Sequence, residues 1–126
     1  MEPAERDATL RAGIELFDAG KYLAAHELFE ELWEATEGED SDFFKGLVQA
    51  AIALHHLESG NPEGAAKLYS GHRALLARYQ PVHAGIDVTR FLGAMQEFLR
   101  PMLEHRQAVP FDRTGRPRLR ERPRET

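Results

Sequence analysis

A short pattern that returns after forty residues constrains this chain more than any other feature. Gly20, Tyr22, Ala25 and Phe29 in the first copy correspond to Gly60, Pro62, Ala65 and Tyr69 in the second. Each copy follows a stretch with apolar residues at helical spacing. The glycine therefore reads as the stop of one helix, and the small residue and ring as the packing face of the next. Two helical hairpins, one repeating the other, satisfy that pattern.

The rest of the chain fits this frame. Leu10, Ile14 and Phe17, behind Pro3, form the stripe of a first helix, and Tyr22, Ala25, Phe29, Leu32 and Trp33 form that of a second, which stops before Gly38. From about Ser41 to Ser59 the pattern changes, because Leu47, Val48, Ala50, Ala51, Ile52, Ala53 and Leu54 are apolar on every side, as expected of a central helix. Gly60 stops it, Asn61 suits the N-cap of a fourth helix, and Pro62 suits its first position. That helix carries Ala65, Leu68, Tyr69, His72, Leu75, Leu76 and Tyr79 and ends before Pro81. Asp87 can cap a fifth with Val88, Phe91, Leu92, Met95 and Leu99, which Pro101 should kink or end. The expected fold is all-α, a compact bundle of about five antiparallel helices: two repeated hairpins plus a capping helix.

The 126 residues, 42% hydrophobic, suffice for one modest core, placed as a single domain over residues 1–105. Residues 106–126 hold seven arginines with several prolines and are expected to be a disordered basic tail. The formal charge of −5 divides into about +4 on that tail and −9 on the body. No stretch reaches the roughly 18 apolar residues of a membrane span, and the N-terminus lacks a basic and apolar leader, so a cytoplasmic protein with no membrane partner is expected. The lack of cysteine excludes disulfides and thiolate chemistry. Phosphate-binding glycine loops, a serine nucleophile elbow and a dinucleotide fingerprint are all missing, which weighs against an enzyme.

Two resemblances follow. GKYLAAHELF resembles the second helix of a tetratricopeptide repeat, but the second copy has Pro62 where the tyrosine would sit, and two hairpins fall short of the roughly three such arrays need. The longer stretch AGKYLAAHELFEELWE, FFKGLVQAAIALHHLESGN and PEGAAKLY resembles the domain of unknown function 309 family of small helical proteins from bacteria and archaea, over roughly residues 10 to 80. Its most specific parts are His26, Glu27, Glu30 and Trp33, and the run from Gly46 to Asn61 through His55 and His56. The resemblance implies the helical fold and a site near His26, and no settled activity.

On a helical wheel His26 lies at the edge of the apolar face and Glu30 just beyond it, within reach at i, i+4. Glu27, Glu31 and Glu34 face solvent, so packing does not account for Glu27. In the third helix His55 lies on one flank and Gln49 and His56 on the other, so one histidine at most can face His26. The candidate ligand-binding residues are therefore His26, Glu27, Glu30, Trp33, Gln49, His55 and His56. The favoured account of His26 is a structural bond to Glu30 or to a facing histidine. The rival is a divalent metal held by His26, Glu30 and His55, although Glu30 stands where a zinc-protease motif would carry its second histidine. His72 reads as a satisfied core histidine, and the eight carboxylates from Glu27 through Asp42 as a solvated face and an acidic loop.

The function favoured by these residues is a non-enzymatic binding module for a protein or small molecule, with a polar site between helices two and three. A metal-dependent hydrolase is the alternative. Nucleic-acid binding by the arginines at 113, 116, 118, 120, 122 and 124 ranks last, since they lack interleaved aromatics; the tail could instead fold back on the acidic body or make a dimer contact. Oligomerisation is compatible with all three.

Overall fold

Pro3, whose missing N–H costs nothing in a first turn, opens helix α1 (Pro3–Asp18), and a three-residue connection leads to α2 (Tyr22–Glu34). Three further helices follow, α3 (Ser41–Glu58), α4 (Pro62–Leu76) and α5 (Val88–His105). The computed structural model describes residues 1–105 and 115–120. The described residues are all-α apart from one small hairpin, with α3 packed against α2 on one side and α4 on the other. Phe43, Leu47, Ala50, Ala51, Ala53 and Leu54 of α3 are fully buried, which explains why that segment shows no polar face.

The forty-residue repeat is written into the backbone. At the first turn the N–H of Gly20 donates to Phe17 O (2.9 Å) and that of Lys21 to Leu16 O (2.9 Å); at the second, Gly60 donates to Leu57 O (3.2 Å) and Asn61 to His56 O (2.8 Å). Each pair closes a Schellman cap, which needs a left-handed residue, and Gly20 and Gly60 supply it with φ of 79° and 76°. Ala25 and Ala65 are then fully buried at equivalent places, and Phe29 and Tyr69 lie buried one turn on. Asn61 Oδ1 accepts the N–H of Gly64 (3.1 Å) and Asp87 Oδ1 that of Arg90 (3.0 Å), capping α4 and α5.

Three features differ from expectation. After α4 a 3₁₀ turn (Ala77–Tyr79) leads into strands β1 (Val82–His83) and β2 (Ile86–Asp87), antiparallel with Val82 opposite Asp87 and His83 opposite Ile86. Ala84 and Gly85, both at positive φ, form its two-residue turn. Pro101 does not end α5: the helix continues one turn past it, because Leu99 and Met102 on either side are fully buried and hold the turn in place. Finally, residues 115–120 of the tail are not a disordered extension. Pro117 and Leu119 are buried, and the segment lies against the end of α1. The rest of the tail, residues 106–114 and 121–126, lies outside the described residues, and with it the expectation of disorder there.

Candidate functional site

His26 and Glu30 stand one turn apart on α2, and Nε2 of His26 lies 3.0 Å from Glu30 Oε2. Their side chains are 21% and 41% exposed, so the pair sits at the margin of the core, as the wheel indicated. Nδ1 of His26 is buried without a hydrogen-bond partner among the described residues. Trp33, the next turn of the same edge, is partly buried against the core, with Lys45 Nζ of α3 5.6 Å from its ring centroid. An ammonium over an indole face is a favourable contact of about 0.5–1 kcal/mol. Sequence reasoning missed Lys45, although its place in the otherwise apolar α3 was the available signal. Glu27 is exposed on the outward row with Glu31 and Glu34.

The two histidines of α3 do not join this cluster. Asn61 Nδ2 donates to His56 Nδ1 (3.1 Å), and a Cβ at Gly64 would lie 2.9 Å from the His56 ring, so His56 packs beside the α3–α4 turn. Gln49 shares that flank: its side-chain amide fills the space that Gly71 of α4 leaves by lacking a Cβ. His55 is partly buried, its ring centroid 6.2 Å from that of His56. Among the described residues no hydrogen bond, ion pair or ring contact links His26 to either one. Nor do three or more histidine, aspartate or glutamate side chains group there so as to hold one metal ion. Of the seven sequence candidates, His26, Glu30 and Trp33 lie along one edge of α2, Gln49 and His56 belong to the α3–α4 interface, His55 is partly buried beside His56, and Glu27 faces outward.

The acidic loop between α2 and α3 is anchored by residues that follow α4. Arg78 donates to Glu39 O (3.1 Å), the Tyr79 hydroxyl donates to the same carbonyl, and His83 Nε2 lies 2.9 Å from Asp40 Oδ1. The His83 ring also packs at a tilt against Phe43 and Tyr79, with centroids 4.7 Å and 4.8 Å away. The small hairpin thus carries His83 to the loop, a function no sequence motif signalled.

A second polar site lies at the end of α1. Asp18, only 7% exposed, accepts the N–H of Leu119 (2.7 Å) and of Arg120 (3.1 Å) on its carboxylate. Its carbonyl accepts Arg116 and Arg118, each at 3.2 Å, and Arg90 of α5 donates to the carbonyls of Arg118 (2.8 Å) and Leu119 (3.3 Å). Burial pushes the Asp18 carboxyl above its ordinary range, against the opposing pull of those backbone N–H groups and of Arg118 and Arg120. Two of the tail arginines weighed for nucleic acid are thereby engaged within the chain; Arg113, Arg122 and Arg124 lie outside the described residues. A carboxylate in the last turn of a helix opposes the helix dipole, and that was the signal in the sequence that Asp18 has a special partner.

Among the described residues no helix is long and apolar enough to cross a membrane. Residues 10–68 match the family described as a domain of unknown function (DUF309), somewhat less than the span over which the resemblance was read. An uncharacterized protein of Aquifex aeolicus (strain VF5) is 30% identical over 84 residues, which cover 66% of this chain and 25% of that protein. The uncharacterized protein YpuF of Bacillus subtilis (strain 168) is 33% identical over 86 residues, 66% of this chain and 49% of that protein. The chain therefore spans a quarter to about half the length of the curated relatives it matches.

Proposed function

We propose that this chain, whose residues 10–68 carry the domain of unknown function DUF309, is a non-enzymatic binding module that takes a protein or small-molecule partner on the edge of α2 beside α3. The observation that carries this reading is Trp33, a large aromatic left partly exposed next to the His26–Glu30 pair and beneath Lys45. A ring so placed offers a large apolar area, and the surrounding ionic groups fix the orientation of whatever covers it. The exposed row Glu27, Glu31 and Glu34 adds negative charge beside it, which complements a basic rim on the partner. A metalloenzyme built on His26, Glu30 and His55 requires His55 to reach the α2 pair, and no contact between them supports that.

Elemental analysis of the purified, untagged protein, with His26→Ala as control, separates the two readings. A binding module carries no stoichiometric metal, and affinity capture with the wild type retains a partner that Trp33→Ala loses. Near-stoichiometric zinc, manganese or iron that vanishes in His26→Ala, or identical captures by wild type and Trp33→Ala, overturns the proposal.

A further inference from the structure

We propose that the trough between the end of α1 and the first turn of α5 is a recognition site for a short, bent basic peptide of another protein, which this chain keeps filled with its own residues 115–120. This goes beyond the reading of the α2 edge and does not depend on it. The trough reads main chain on both edges. Asp18 takes two successive N–H groups, of Leu119 and Arg120, while Arg90 takes two successive carbonyls, of Arg118 and Leu119. Any non-proline residues at those places can supply the same four bonds, so the backbone contacts give affinity without fixing sequence.

Side chains add the selectivity. Leu119 is buried to 2% exposure and Pro117 is buried two residues before it, so the site selects an aliphatic residue following a proline at that spacing. The guanidinium groups of Arg116 and Arg118 both reach the Asp18 carbonyl, at the end of α1 where a helix favours positive charge. An open depression of about 370 Å³ lies between Ile14, Glu15, Asp18 and Ala19 of the α1 end and Arg116, Arg118 and Arg120 of the resident segment itself. The arginine side chains of the occupant thus border solvent-filled space next to a second carboxylate, that of Glu15. The occupant thus has the form proline, any residue, leucine, flanked by arginines, and it meets an acidic body.

Asp18 makes this more than an incidental clasp. A carboxylate buried at a helix C-terminus carries a desolvation cost and an unfavourable dipole, and among the described residues both hydrogen bonds it accepts come from the segment. The resident segment also sets a threshold. A short tether holds a ligand at an effective concentration of about 1 mM, so a partner displaces it only by exceeding that competition.

The test uses the full chain and the synthetic hexapeptide Gly-Arg-Pro-Arg-Leu-Arg. In ¹⁵N-labelled wild type, titrating the peptide to about 10 mM, well above the tethered concentration, moves the Leu119 and Arg120 amide resonances to those of a solvent-exposed chain. A fluorescent form of the peptide binds Leu119→Asp, whose own segment is released, about tenfold more tightly than wild type, and adding Asp18→Asn removes that gain. Amides that stay unmoved at the highest peptide concentration overturn the proposal and leave a fixed structural clasp, a result readable even if Leu119→Asp fails to fold. Binding that ignores Asp18→Asn overturns it as well. A dimer in which segments are exchanged between ¹⁵N-labelled and unlabelled copies overturns it in favour of a second copy as the occupant.

Discussion

His72 is fully buried, and its two nitrogens differ: Nδ1 donates to Gly46 O at 3.2 Å, while Nε2 is buried with no hydrogen-bond partner among the described residues. Phe91 meets the ring edge-on at 5.5 Å, and Tyr69 lies 6.0 Å away. Burial pushes its pKa from 6.5 down to about 4, with the charge of nearby Arg73 adding to the fall and the bond to Gly46 opposing it. The unfolded chain therefore takes up a proton at a pH where the folded chain does not. The stability tied to neutral His72 is complete above pH 6.5 and is lost as pH falls toward 4, an effect of about 3 kcal/mol over that window. Urea unfolding at pH 7 and at pH 4 checks it: a His72→Gln variant should show a smaller loss than wild type by about that amount, and equal losses would refute the neutral buried state. His26 behaves differently. Its partner Glu30 is 41% exposed and regains water when the imidazole is removed. His26→Ala should then cost about 1 kcal/mol or less, the low end of what a lost partner causes. A loss above about 3 kcal/mol would mean that His26 supports more than this one pair.

Among the elements, the α3–α4 contact is the tightest to probe, because glycines set its spacing. A Cβ on Gly46 would lie 2.7 Å from Leu76 Cδ2 and 2.8 Å from its Cγ, and Leu76 is 1% exposed with nowhere to move. Gly46→Ala gains about 1 kcal/mol of helix propensity but forces the two helices apart at a cost of about 1–3 kcal/mol, so a net loss is expected in thermal or urea unfolding. A stabilised variant would show that the interface yields. The same interface shows what was legible in advance. Gly20, Gly60, Asn61 and Asp87 act through bonds to residues at most five positions away, and local patterns report such bonds, so the turns and caps were readable. Of the two outcomes expected at Pro101, a kink or an end, the end did not occur because a local rule about proline lost to the burial of Leu99 and Met102, which is a tertiary effect. The hairpin at residues 82–87 escaped notice because two-residue strands carry almost no alternation, even though Ala84 and Gly85 form a tight turn. Which way His55 and His56 face depends on how α3 is rotated against its neighbours, and a wheel for one helix does not contain that angle.

At the scale of the whole molecule the chain closes on itself, since Asp18 and residues 119 and 120 meet across a separation of about a hundred positions. Composition marked the tail as unable to build a core of its own, yet one buried leucine and one buried carboxylate suffice to seat a short part of it. Such a contact is invisible to any reading that scores segments one at a time. It also makes a stability prediction with an internal control. With the segment seated, Asp18 accepts two backbone N–H groups, each worth about 1.5–3 kcal/mol to a charged acceptor, offset by the desolvation of a carboxylate that is 7% exposed. Asp18→Ala should therefore destabilise the wild type by about 2 kcal/mol. In a Leu119→Asp background the segment is already released, Asp18 becomes an ordinary exposed carboxylate, and the same substitution should fall within about 0.5 kcal/mol of zero. The four chains form a double-mutant cycle in urea unfolding, and the coupling between positions 18 and 119 should approach the full cost of the single change at Asp18. If Asp18→Ala costs the same in both backgrounds, its importance lies within α1 and the segment contributes nothing to the fold.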